Sequence, residues 1–146
     1  MSAGRDGASA LDPASRAAIE QLIHYHAWLI DHGEAGKVAE LFTEEAALHG
    51  IGPDKLGRPA IAEWARQRAA MTPRRSCHVH GNILIEPEGE AQARGTVIVT
   101  LYRHDGEGEA PATPLLIGEY ADRYCRQADG RWLFAERRFA ILFGKA

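Results

Sequence analysis

The hydrophobic period changes at Pro73, and this narrows the possible folds more than any other feature of the chain. Before Pro73 apolar residues recur at helical spacing; after it they alternate. Asp12-Pro13 reads as a helix start, with Asp as N-cap and Pro at the first helical position. Ile19, Leu22, Ile23, His26, Ala27 and Ile30 then fall on one face, and Gly33 supplies a C-cap. A second helix is expected through Val38, Leu41 and Phe42, ending near Thr43 or Glu44. "AALHGI" (46–51) reads as a short strand and "GPDKLGRP" as a loop or tight hairpin. Pro59 opens a third helix with Ile61, Trp64, Ala65 and Arg68 in register. Four strands follow, over 77–86, 91–104, 115–127 and 132–143, with "EPEGE" as the first hairpin turn and Asp129-Gly130 in the last. Helices first and an antiparallel meander last make an α+β order, with three N-terminal helices on a curved, mostly antiparallel sheet.

With 146 residues, the chain has the size of one domain, expected over 12–146 behind a disordered tail at 1–11. A net charge of −3 argues against nucleic acid as a partner. No apolar run is long enough for a membrane span, and "MSAGRDGASA" has no apolar core of a secretory signal. The expected location is therefore cytoplasmic, with Cys77 and Cys125 as reduced thiols.

Polar residues break the pattern at two places. In "RRSCHVHGNILIE" the alternation puts His78, His80 and Asn82 on one face of a strand. Either that face lines a pocket between sheet and helices, or it looks to solvent. On the first helix, His26 sits inside the apolar stripe, Tyr25 flanks it, and Asp31 closes the last turn, where a carboxylate opposes the helix dipole. An Asp–His pair has a defined chemistry: the carboxylate fixes the imidazole tautomer and stabilises the imidazolium that forms. With a nearby Tyr to polarise an oxygen, such a set suits proton abstraction beside a carbonyl, loss of water, or isomerisation. Tyr102, Tyr120 and Arg137 on the closing strands are further pocket candidates, although strand tyrosines and an "ERR" run are ordinarily packing and surface. Trp64 is either core or pocket wall, and Trp132 and Phe134 read as packing residues.

The segments "IEQLIHYHAWLIDHGEAGKVAELFTEEAAL", "GRPAIAEW", "CHVHGNILIE" and "IGEYADRYCRQADGRWLFAERR" together resemble a SnoaL-like domain, with the cone-shaped fold of nuclear transport factor 2. The resemblance implies an internal pocket and a homodimer or higher homo-oligomer. It lies nearest to scytalone dehydratase and bile-acid dehydratase types, which use an Asp–His pair without a cofactor. It assigns Asp31 and His78 as the catalytic pair. The dehydrochlorinase of the family has its key Asp where this chain has Tyr25. The bile-acid enzyme has a Tyr near the position of His26.

Three readings follow. The first is a cofactor-independent lyase or isomerase, of dehydratase or cyclase type, acting on an apolar, polycyclic or aromatic small molecule. In it Asp31 orients His78, and Tyr25, His26, Trp64, His80, Asn82, Tyr102, Tyr120 and Arg137 contact substrate. The second is a non-catalytic ligand-binding or assembly domain on the same fold. The third is a metal site at His78-x-His80, but its customary Glu is misplaced: Glu86 comes too late. The expectation is therefore no metal.

Overall fold

The computed structural model describes residues 11–146. Helix α1 (Pro13–Asp31) is followed by a 3₁₀ helix (Ala35–Leu41), strands β1 (Phe42–His49) and β2 (Lys55–Leu56), and helix α2 (Arg58–Ala70). Strands β3 (Arg74–Pro87), β4 (Gln92–Asp105), β5 (Leu116–Arg126) and β6 (Trp132–Gly144) complete the chain. The six strands form one sheet in the order β2-β1-β6-β5-β4-β3. All neighbours are antiparallel except β1 and β6, which run parallel. Of the expected tail, only Leu11 falls within the described residues, and it packs partly buried against the core.

Asp12 caps α1 by accepting from the Ser15 backbone N–H at 3.0 Å, which satisfies one orphan donor of the first turn. At the other end Gly33 takes φ 79°, just beyond the cap residue His32. The inward stripe of α1, led by Ile19, Ile23 and Ile30, packs into one core with Val97 and Val99 of β4 and Phe134 of β6.

The second helix differs from expectation. It is a single 3₁₀ segment, and Phe42 is already extended at φ −113° and ψ 148°. Phe42 pairs with Phe134 in the parallel ladder, and the two rings lie tilted at 35°, with centroids 5.1 Å apart. Helical spacing cannot separate a residue that closes a helix from one that opens a buried strand, and here core packing decides. β1 stops at His49, because Gly50 turns at φ 89° against β6: a Cβ there would lie 1.9 Å from the Phe139 carbonyl oxygen.

A second departure sets the site. The β3–β4 register shifts between Gly81 and Leu84, and Asn82 takes a left-handed φ of 47°. This is a β-bulge, which re-aims the side chains on either side of it. Ser76, His78 and His80 alternate toward the helices, whereas Asn82 is exposed and Ile85 resumes the inward face.

Phe42 is fully buried. Phe42→Ala is expected to cost about 3–5 kcal/mol, measured by urea unfolding at neutral pH; a loss below 1 kcal/mol, roughly the cost of an exposed substitution, would contradict its place at the centre of the core.

Candidate active site

Asp31 ends α1 where the helix crosses β3, and its carboxylate is saturated from that strand. Oδ2 accepts the His78 backbone N–H at 2.8 Å. Oδ1 accepts the Ser76 hydroxyl at 2.7 Å and pairs with His78 Nδ1 at 2.7 Å. Burial works to raise the Asp31 pKa, but the hydrogen bonds from His78 and Ser76 outweigh it and hold the carboxyl below its usual value. An ionised carboxylate only accepts, so His78 Nδ1 carries the proton. In the neutral ring, Nε2 therefore keeps its lone pair. Ser76 spends its one proton on Asp31 and accepts from Arg68 Nη2 of α2 at 3.0 Å. Arg68, Ser76, Asp31 and His78 thus form one directed chain.

His78 and Ser76 line a cavity of about 250 Å³ between α2, the end of α1 and the inner face of the sheet. Ile30, Trp64, Val99, Leu101, Tyr120 and Phe139 supply much of its apolar wall. Its volume falls just below the usual span of ligand sites, roughly 300–1,000 Å³. Tyr120 is almost fully buried, and burial pushes its hydroxyl pKa up against the pull of Arg137, so it stays a neutral phenol. Arg137 is fully buried behind Tyr120. Its guanidinium lies 3.6 Å over the Tyr120 ring and donates to both Asp122 oxygens, at 2.8 and 3.0 Å. Tyr124 donates to the same Asp122 at 2.9 Å.

The other expected site residues lie elsewhere. His26 is buried edge-on between Phe42 and Phe134, at 5.7 and 5.5 Å, and does not line the cavity. Burial, then the charge of Arg137, hold its pKa well below the ordinary value, and its Nε2 has no hydrogen-bond partner among the described residues. Tyr25 points to the outer side of α1, exposed and stacked on Trp28 at 6.1 Å, because its position is one residue off the inward stripe. Tyr102 is on the opposite sheet face, since its neighbours Leu101 and Arg103 take the cavity side. Asn82 is turned out by the bulge. His80 stays on the helix side but outside the cavity, with its Nδ1 3.4 Å from His24 Nδ1. Glu86 pairs with Arg94 at 3.0 Å, away from the two histidines. Among the described residues no three His, Cys, Asp or Glu side chains are grouped to hold a metal ion.

The sequence reasoning missed Ser76, Arg74 and Arg103 as cavity residues, and took Arg68 only as part of a helix face. One signal was available for Ser76: it lies two residues before His78, hence on the same strand face.

A helix-backed cone of mixed sheet, with an Asp–His pair in the wall of an internal cavity, defines a class of small-molecule pocket domains. The chain belongs to the SnoaL-like domain family, whose model matches residues 13–138. A candidate scytalone dehydratase from Novosphingobium aromaticivorans is 23% identical, with 89% of this chain and 85% of that one aligned at a TM-score of 0.77. LinA is 23% identical over 89% of this chain and 87% of its own, at a TM-score of 0.74. A Mycobacterium tuberculosis protein of unknown function, solved as an Asp-to-Asn variant, is 30% identical over 89% and 77%, at a TM-score of 0.69. No curated protein matches the chain. No described helix is long and apolar enough to cross a membrane.

The half-buried His80 and the buried His26 are expected to make stability pH-dependent. Burial, then the charges of Arg137, His78 and His24, lower the His80 pKa to about 4. The unfolded ring titrates near 6.5, so between about pH 6.5 and 4 the unfolded chain binds a proton that the folded one refuses. Stability is therefore expected to fall across that window and stop falling on this account below it. His80→Gln should flatten the slope of unfolding free energy against pH, leaving the share of His26; identical slopes in parent and variant would refute the assignment. The Asp31 pKa is shifted in the same direction, so its stabilisation is also lost as pH falls, but lower, through its depressed folded pKa.

Proposed function

We propose that the chain is a cofactor-independent lyase or isomerase of dehydratase or cyclase type, with His78 as the base and Asp31 as the residue that orients and charges it. The observation that carries this is the 2.7 Å contact from Asp31 Oδ1 to His78 Nδ1 in the wall of a mostly apolar cavity. With Nδ1 protonated and engaged, Nε2 is the nitrogen that takes a proton from a bound substrate. The resulting imidazolium is stabilised by the adjacent carboxylate, and the same ring returns the proton to a leaving oxygen or to another carbon. Ser76 and Arg68 keep the carboxylate from rotating away. Tyr120, a neutral donor in the cavity wall, can hydrogen-bond an oxygen that gains charge as the proton leaves. Trp64, Leu101 and Phe139 suit an aromatic or fused-ring body. Membership of the SnoaL-like family and a fold shared with a candidate scytalone dehydratase and LinA support the reaction class.

His78→Ala is expected to lower kcat by about 10²–10⁴-fold without changing the fold by circular dichroism. Asp31→Asn should also lose activity, because an amide can present the wrong tautomer of His78. Ser76→Ala should lower it less. The check is a screen of hydroxylated ketones and phenols for loss of water or isomerisation, followed by kinetics of the variants. Equal turnover in parent and His78→Ala would end the catalytic reading and favour a binding domain on the same fold.

A further inference from the structure

Three arginines and no Asp or Glu line the cavity. They do not have the same freedom. Arg74 is engaged by Asp105, with Nε and Nη2 donating to the two carboxylate oxygens at 2.7 and 3.0 Å. Arg68 has one nitrogen committed to Ser76. No hydrogen bond or ion pair holds Arg103 to another described residue. Among the side chains here, three guanidinium groups stand against the carboxylates of Asp105 and Asp31, and Ala146 also lines the cavity.

The register gives the place. Arg103 on β4 lies opposite Ser76 on β3, and Leu101 lies opposite His78. Arg103 is thus two residues along the sheet from the reacting pair, roughly 7 Å at strand rise, toward the end where Met71 and Gln67 are exposed. An unpaired guanidinium at the wall of an apolar cavity is a fork of donors without an acceptor, and a planar carboxylate fits it with two parallel hydrogen bonds.

We propose that the substrate of this site is an organic monoanion, with an aromatic or alicyclic body in the apolar cavity and a carboxylate held by Arg103, assisted by Arg68. This rests on the cavity being the substrate site, as proposed above. It adds that the C–H or C–O bond acted on by His78 lies several bonds from an acid group. Arg103 is a binding residue that fixes which end of the molecule faces the base.

The test uses three probes of one body size, naphthoate, naphthol and naphthyl phosphate, titrated calorimetrically into the full chain at neutral pH. Naphthoate is expected to bind about ten- to a hundredfold more tightly than naphthol, the range of a charge-assisted pair. Added salt should narrow that gap. Arg103→Gln should erase the preference while leaving naphthol affinity unchanged, and Arg103→Lys, which keeps the charge and loses the fork, should retain part of it. The proposal is overturned if naphthoate binds no better than naphthol in the parent, if naphthyl phosphate binds more tightly than naphthoate, or if both Arg103 variants keep the full preference. His78→Ala separates the two readings. Acid preference retained in that variant supports the anion site whether or not His78 proves catalytic, and its loss there would overturn the assignment to Arg103.

Discussion

The carboxylate of Asp31 joins the two halves of this molecule. It stands at the negative end of the α1 dipole, where a charge of its sign costs about 0.3–1 kcal/mol. Three hydrogen bonds from one strand meet it there. Hydrogen bonds to a charged group contribute about 1.5–3 kcal/mol each, so the local penalty is small beside what the crossing strand returns. The bonds also fix geometry. The backbone N–H of His78 and its ring both point at one carboxylate, so the imidazole is pinned at two places and cannot turn without breaking a short contact. Placement of α1 on β3, the tautomer of His78 and the position of Ser76 all follow from this contact.

Behind the cavity a second charge is buried with its partners. Arg137 is held by Asp122, and Asp122 by Tyr124, while the guanidinium face lies on Tyr120 and, at 4.2 Å, on Phe134. A buried pair of this kind is costly to desolvate and costly to break. Its effect here is to stiffen the wall from which Tyr120 faces the cavity. The exposed groups are at the other end, around Met71 and Gln67.

Much of the fold was legible because it is written in local chemistry. Asp12 before Pro13, the change of period at Pro73 and Asp129-Gly130 are each decided by residues within a few positions of one another. The contact between Asp31 and His78 was legible only through resemblance, since 47 residues separate them. What was not legible depended on tertiary placement. Phe42 carries a helical spacing and a strand conformation, and its neighbours in the core decided between them. Tyr25 and Tyr102 are each one residue away from positions that face inward. Arg103 carried no signal, because nothing in a strand's own sequence says which of its faces will meet a hole.

The bulge at Asn82 has a consequence for how this strand can change over time. On its N-terminal side β3 serves ligand chemistry, with Ser76 and His78 at every second position. On its C-terminal side the opposite parity serves packing, with Ile85 turned inward. One strand thus holds two frames joined at a single left-handed residue. Substitutions that refashion the ligand-facing half need not disturb the apolar half, because no shared parity binds them. Loss of one residue at the joint would merge the frames, and the strand could then satisfy either the cavity or the core, but not both.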